Sequence, residues 1–388
     1  MKILLLLQFV VTTTAVFNIF TKDDPCSEAT ACETCVQLNT GNAVKCGWCP
    51  VENKCLSATT ESSTFFGSVC ERETLWTTEE VCTTNYRPAF NETLSQILAQ
   101  FSAAAYSEEP EKCIEKRWSA YKFVEKVETE ADLLGNTNVA FVAENEENKE
   151  IIISCRGTDA NTELLVEGLS SATMWITHKL GGAVNSYFYL GYKNLAPTIQ
   201  SHVAKFLGQH PEYRVYVTGH SLGGALASLI TLDLVSSGLV SPRRLTLVTY
   251  GEPRVGNYNL AKAIDSYIPD SWRVINSNDV VPHLPPCIPH PIYLRGCLPS
   301  TVSPHHHGTE VWFPEGMDSK GSSPHQICTG KPMNEDISCS NSIVPVCGIQ
   351  QGIDCVKNHI HYYNFNFGEF GRNNCAAFQW LVDGLLGN

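Results

Sequence analysis

Val217 to Gly224 reads VTGHSLGG, and the reading of the whole chain turns on what Ser221 does inside it. Gly219-His220-Ser221-Leu222-Gly223 fits G-x-S-x-G. By itself the pattern is weak: with glycine and serine each at about 7% of residues, roughly 0.1 chance matches are expected in a chain this long. The flanks carry the weight. Val215-Tyr216-Val217-Thr218 is a strand-like run that ends at the motif, and a nearly all-apolar helical run, Leu222 to Val235, begins on it. A strand, a tight turn and a helix in that order hold a serine on a sharp bend with its hydroxyl pointing outward. Side chains flanking so tight a turn would collide, which is why glycine surrounds it. The first helical N–H groups then lie where an oxyanion would develop. The competing reading is a glycine-rich turn around a buried serine.

A serine hydroxyl barely ionises near neutral pH and needs a base. In this arrangement an acid and then a histidine follow the serine along the chain. The acid belongs in a loop just past a strand. Asp279 stands there, after the strand-like Trp272-Arg273-Val274-Ile275; Asp265 and Asp270 lie on or just after a helix. Eight histidines follow, from His283 to His361. The base is expected in a late loop before a C-terminal helix around Asn374 to Leu386. That leaves His359 and His361, which position alone does not separate.

Working outward, Leu94, Ile97, Leu98, Phe101 and Ala105 recur at helical spacing, with Asn91 or Thr93 as cap. Asn138 to Val142, Ile151 to Cys155, Tyr213 to Thr218 and Leu245 to Tyr250 read as strands. A helix is expected to begin near Pro197, with Ile199, Val203, Phe206 and Leu207 on its buried face and Gly208 at its end. Leu260 to Ile268 reads as another helix. Alternating strands and helices argue for an α/β domain with a mostly parallel sheet covered on both faces. Residues 314–358, rich in Gly, Pro, Ser and Cys, read as a long loop region held by disulfides.

The chain has 388 residues, a formal charge of −13 and 17 cysteines. The acidic balance argues against a nucleic-acid partner, which would need a basic face. MKILLLLQFVVTTTAVF has a basic start, a short apolar core and small residues where a signal peptide is cut, so a leader is expected over 1–16. The apolar run is too short to span a bilayer, and no later segment reaches about 18 apolar residues. An oxidising compartment fits the cysteine count. The odd number leaves at least one thiol unpaired or paired outside the chain. Cys155, in an apolar run, is the candidate. Asn91-Glu92-Thr93 is a glycosylation sequon.

Eight cysteines fall between residues 26 and 82: Cys26, Cys32, Cys35, Cys46, Cys49, Cys55, Cys70 and Cys82. So short and polar a stretch cannot bury much core and calls for covalent staples. Spacing alone does not choose among their pairings. His305-His306-His307 raises the question of a metal with His283 or His290. Neighbours in a strand face opposite sides, so three in a row cannot all reach one ion.

GHSLGGALA, then TYGEPRVGN from Thr249 to Asn257, then NSNDVVPHLPP from Asn276 to Pro286 together resemble the lipase class 3 family over residues 88–388. The resemblance implies an α/β-hydrolase fold. It makes Ser221 the nucleophile, Asp279 the acid and His359 the base, since His359-Ile360-His361-Tyr362-Tyr363 fits the family's H-x-x-Y-[FY] segment. Arg156-Gly157-Thr158 matches the family's second oxyanion donor, so Thr158 and Leu222 would form that hole. Thr162 to Leu169 falls where the family carries a lid, and Cys113 with Cys375 matches its end-to-end bridge. The insertion carrying Cys328, Cys339, Cys347 and Cys355 departs from the family pattern. Residues 22–84, with Cys46-Gly-Trp-Cys49 at their centre, resemble the PSI (plexin–semaphorin–integrin) domain. That implies Cys26–Cys46, Cys32–Cys82, Cys35–Cys55 and Cys49–Cys70, and a spacer or interaction module with a protein partner.

The expected protein is thus a secreted esterase, extracellular or within the secretory lumen, lysosome included, cleaving acylglycerols at a lipid–water interface without metal or organic cofactor. Two other classes stay open: an esterase for phospholipids or small soluble esters, and a secreted binding protein whose hydrolase domain is inactive.

Overall fold

The computed structural model describes residues 26–39, 45–58, 70, 74–78, 81–82, 86, 88–130, 137–158, 174–317, 323–343 and 349–376. The expected leader, the segment Thr162–Leu169, Cys347 and most of the expected C-terminal helix lie outside them. Two compact units divide between Thr84 and Asn85.

In the first unit, α1 (Cys32–Gln37) precedes an antiparallel hairpin of β1 (Cys46–Cys49) and β2 (Lys54–Ser57). Disulfides join Cys26 to Cys46, Cys32 to Cys82, Cys35 to Cys55 and Cys49 to Cys70, the pairing the resemblance implied. Trp48 and Trp76 exchange two backbone hydrogen bonds, and both indoles are buried. Gly47 lies against Leu75 so closely that a Cβ would stand 2.7 Å from that residue's own Cβ. Four bridges and a few aromatics replace the core so short a segment cannot build.

The second unit opens with α2 (Glu92–Ala104), capped by the Asn91 side chain accepting from Leu94 N–H, and α3 (Pro110–Arg117). There follow β3 (Lys122–Glu130), β4 (Thr137–Asn145), β5 (Glu150–Cys155), β6 (Trp175–Thr177), β7 (Ala183–Asn185), α4 (Ser186–Gln209), β8 (Arg214–His220), α5 (Leu222–Ser236) and β9 (Leu245–Tyr250). After these come β10 (Gly256–Asn257), α6 (Tyr258–Tyr267), β11 (Ser271–Asn276), β12 (Pro304–His305), β13 (Thr309–Phe313), β14 (Gln326–Cys328), α7 (Ile349–Ile360) and α8 (Phe367–Arg372). The main sheet runs β14-β13-β11-β9-β8-β5-β4-β3. Its five central strands, β5, β8, β9, β11 and β13, are parallel, and the flanking pairs are antiparallel. The mostly parallel sheet expected from the sequence is present. Strands buried on both faces carry no polar alternation, and β9 is buried at every position. In α5 every residue but Asp233 is buried, as an all-apolar helix requires.

Three expectations need correction. The helix placed near Pro197 starts at Ser186, where the Asn185 side chain accepts from Tyr187 N–H. Pro197 sits mid-helix on the exposed side. Its missing N–H and ring clash cost about 3 kcal/mol, which the buried stripe of Phe188, Tyr192, Leu195, Ile199 and Val203 offsets. Residues 314–358 are not simply loop, since they contain β14 and most of α7. Cys375 pairs with Cys113 but sits in a turn at φ 51°, not in a helix. Closing that 262-residue separation removes about 5.6 kcal/mol of unfolded-chain entropy in the loop-closure account.

Candidate active site

Ser221 stands between the last residue of β8 and the first of α5 at φ 58°, ψ −130°, the strained bend its motif called for. The glycines around it are explained by contact. A Cβ on Gly219 would lie 2.2 Å from the Gly223 carbonyl oxygen, and one on Gly223 would lie 2.2 Å from that of Cys155. The close approach of β5, β8 and α5 leaves no room for either.

Asp279 follows β11, the second strand from β8 in the sheet. Both Asp279 oxygens lie 3.0 Å from His359 Nδ1, and His359 Nε2 lies 2.9 Å from Ser221 Oγ. Asp279 and His359 are almost wholly buried. Burial pushes the Asp279 carboxyl up, but His359 beside it and hydrogen bonds from Tyr362 O–H at 2.6 Å and Val281 N–H at 2.9 Å hold it below its usual range. A carboxylate bonded to Nδ1–H leaves Nε2 as the acceptor that faces the serine. His361 instead bonds the Lys357 carbonyl and takes no part. Asp265 accepts from Gly308 N–H and Asn334, and Asp270 from Thr246 and Trp272; neither meets His359.

His359 lies in the last turn of α7, not in a loop. The signal was present, because Ile349, Ile353, Val356 and Ile360 recur at helical spacing. On the other side of the elbow, β5 and β8 run in parallel with Cys155 opposite Gly219. A Cβ on Gly157 would lie 3.1 Å from Ser221 Cβ, so the chain from Arg156 to Thr158 passes directly beside the serine. Arg156 fixes that passage by donating to the Thr137 carbonyl and hydroxyl. Thr158 Oγ1 is buried and has no hydrogen-bond partner among the described residues. The Leu222 N–H, at the first helical position, has no intrahelical acceptor.

Three further residues support the base, and nothing in the sequence pointed to their roles. Tyr362 is the phenol that bonds Asp279. His220 Nε2 lies 2.7 Å from the His359 carbonyl and its Nδ1 lies 2.7 Å from Tyr106 O–H. A carbonyl only accepts, so Nε2 carries the hydrogen and Tyr106 donates to Nδ1. Burial pushes the His220 imidazole down to about 3, keeping it neutral in that role. Gly251 is the third. At φ 57°, a Cβ there would stand 2.6 Å from Asp279 Oδ2 and 2.8 Å from His359 Nδ1.

His305, His306 and His307 are buried and diverge. Their Nε2 atoms meet the Met333 carbonyl, the Pro282 carbonyl and Glu252 Oε1 respectively. Cys155 is free and buried, its thiol pushed up to about 12 by burial.

Residues 152–288 match the model of the family Lipase (class 3). The chain is 35% identical to Lipase ZK262.3 of Caenorhabditis elegans over 305 residues, 74% of this chain and 83% of that one. Among solved structures, lipase II of Rhizopus niveus overlays with a TM-score of 0.58 at 27% identity, over 74% of this chain and 99% of that one. A triacylglycerol lipase whose catalytic centre is a serine-protease triad overlays with a TM-score of 0.58 at 26% identity, over 75% of this chain and 99% of its own. With this sheet and these relatives, the chain has the α/β-hydrolase fold and belongs to the lipase class 3 family of carboxylic ester hydrolases.

Proposed function

We propose that the protein is a secreted triacylglycerol lipase working through Ser221, His359 and Asp279. The observation that carries the reading is the continuous contact Ser221 Oγ to His359 Nε2 and His359 Nδ1 to Asp279. Ser221 attacks the ester carbonyl while His359 takes its proton, and Asp279 holds the imidazole tautomer and stabilises its cation. The tetrahedral oxyanion accepts from the backbone N–H groups of Leu222 and Thr158, with the unpartnered Thr158 hydroxyl as a third donor. His359 returns the proton to the departing alcohol. Water deprotonated by His359 then releases the fatty acid from the acyl-enzyme.

An acylglycerol substrate is supported by the named activity of the structural relative. Secretion is supported by the leader-like residues 1–16 and by the disulfides. Among the described residues no helix is long and apolar enough to cross a membrane. Residues 22–84 are read as a PSI-like interaction module, supported by four bridges in the expected pairing, and residues 88–388 as the lipase domain.

The test is fatty-acid release from emulsified triacylglycerol by the wild type and by Ser221→Ala, with fluorophosphonate labelling of both. Release and labelling by the wild type alone establish the reading. Labelling without release keeps the machinery and moves the substrate to phospholipids or small esters. Neither signal would put an inactive hydrolase fold in a binding protein first.

A further inference from the structure

The chain leaves the strand end that carries Asp279 and makes a long excursion before β12. A disulfide, Cys287–Cys297, closes the excursion on itself. The closed loop is well held. His290 N–H donates to the Gly296 carbonyl at 2.7 Å, Leu294 N–H to that of His290 at 2.8 Å, and Leu298 N–H to that of Ile288 at 2.8 Å. Ile288 N–H donates to Ser303 Oγ at 2.9 Å. Gly296 packs so tightly that a Cβ would lie 2.5 Å from Pro332 Cδ.

Yet the side chains at the tip cover nothing. Ile292 is 76% exposed and Leu294 75%, with Ile288 at 44% and Val302 at 76%. Met333, next to the Pro332 on which the loop rests, is 59% exposed. Large aliphatics held this far out of a folded surface mark a contact with something apolar. The charge says what. From Val280 to Thr309 the chain has no Asp or Glu, although 40 of its 388 residues are acidic and about three would be expected in thirty. Arg295, exposed at the tip, is the loop's cation. In a protein of formal charge −13, the stretch bearing the most exposed aliphatics among the described residues thus has no carboxylate. A lipid surface, apolar inside and bearing phosphates, suits such a patch, since carboxylates there would be costly to desolvate and would meet like charge.

We propose that the Cys287–Cys297 loop anchors the enzyme to a phospholipid-coated lipid surface. Ile292 and Leu294 enter the acyl layer, and Tyr293 and Arg295 stay at its polar boundary. The loop is already ordered, so insertion sacrifices little conformational entropy. Because it springs from the strand carrying Asp279, its seating also fixes how the Ser221 site faces the surface. This rests on the lipase reading only for its purpose; the anchoring has its own readout.

The binding test uses the full chain carrying Ser221→Ala, so that vesicle lipids stay intact. Its flotation with phosphatidylcholine vesicles, plain and with phosphatidylserine, is compared with and without Ile292→Ser and Leu294→Asn. Leu294 sits at φ 60°, which asparagine adopts readily. Losing two aliphatics from the acyl layer is expected to lower the partition by about a hundredfold. With Ser221 intact, the same pair of substitutions is expected to leave hydrolysis of a soluble short-chain ester unchanged. A partition unaltered by the substitutions overturns the proposal. As an independent arm, the indole introduced by Ile292→Trp is expected to be quenched by brominated phosphatidylcholine beyond the parent's background, and no added quenching also overturns it. Sedimentation showing a lipid-free dimer that the double substitution dissolves would give the patch to a second copy and refute anchoring. Quenching of the introduced indole without triacylglycerol hydrolysis by the unsubstituted enzyme sinks the substrate reading and leaves the anchor. Hydrolysis without quenching does the reverse.

Discussion

Gly251 and Gly238 share a left-handed backbone, at φ 57° and 74°, and differ in what a side chain would meet. At Gly238 nothing lies within 4 Å of a new Cβ; at Gly251 it would meet Asp279 Oδ2 at 2.6 Å and His359 Nδ1 at 2.8 Å. Alanine at either position incurs about 1–2 kcal/mol for the left-handed conformation. That leaves a domain of ordinary stability folded. Gly251→Ala must also push the acid and the base outward by about 1 Å to restore van der Waals distance. A misplacement of that size costs on the order of a hundredfold in rate. We therefore expect near-normal turnover of a soluble ester by Gly238→Ala, and for Gly251→Ala a urea midpoint lower by the added about 1–3 kcal/mol of overpacking and about a hundredfold loss of kcat. Fluorophosphonate labelling rate reads the same loss at Ser221 directly. Normal labelling by a folded Gly251→Ala protein would refute the assignment of Asp279 and His359 as the working pair.

Two more outcomes follow from the buried polar groups. Tyr362→Phe removes the 2.6 Å bond to Asp279 without changing volume. It should cost about 1.5–3 kcal/mol of stability and, by loosening the carboxylate that orients His359, lower kcat on a soluble ester; unchanged stability and kcat would contradict the role given to the phenol. His178 and His220 are buried, with burial pushing their imidazoles down to about 4 and about 3. The unfolded chain takes up protons on these groups below about 6.5 while the folded one does not, so stability falls as pH drops. From pH 6.5 to 5 each contributes about 1.6 kcal/mol of loss. Asp265, Asp270 and Glu310, raised by burial, act in the opposite sense as they protonate. Urea unfolding across that range, with disulfides intact, should show a smaller fall in midpoint for His178→Gln than for the parent, and an equal fall in the two would show that His178 is solvated.

What the sequence disclosed was whatever has a short repeat or a short motif. The parallel strands β8, β9 and β11 could be read because strands buried on both faces appear as short runs rich in aliphatic and aromatic residues, and α5 because it is nearly apolar all round. Ser221 could be read because the glycines its bend requires, Gly219 and Gly223, stand two positions to either side of it. Pro197 misled because proline is common at helix starts; what lets it stand mid-helix is an exposed face, which local sequence does not reveal. Tyr106 and Tyr362 were illegible as supports because their partners lie 114 and 83 residues away. Nothing local distinguishes a phenol that bonds a buried polar group from one that merely packs.

The same distance effect explains how the stretch after Asp279 is held. Apolar packing is non-directional, and an acid that must meet an imidazole at 3.0 Å needs directional restraint. Arg254 supplies it, with Nε and Nη2 on Glu335 at 2.8 and 3.0 Å while Nη1 donates to the carbonyls of His283 at 2.6 Å and Pro285 at 3.1 Å. Those carbonyls lie four and six residues beyond Asp279. Glu335 comes from the cysteine-bearing insertion and also accepts from His306 N–H and Asn341. Burial pushes its carboxyl up, but the Arg254 guanidinium holds it well below the carboxylate range. The insertion that departs from the family pattern is therefore bonded, through one buried ion pair, to the backbone just past the acid. A buried pair contributes little net stability over apolar residues of the same size. What it adds is position, and position is what the Ser221, His359 and Asp279 contacts demand.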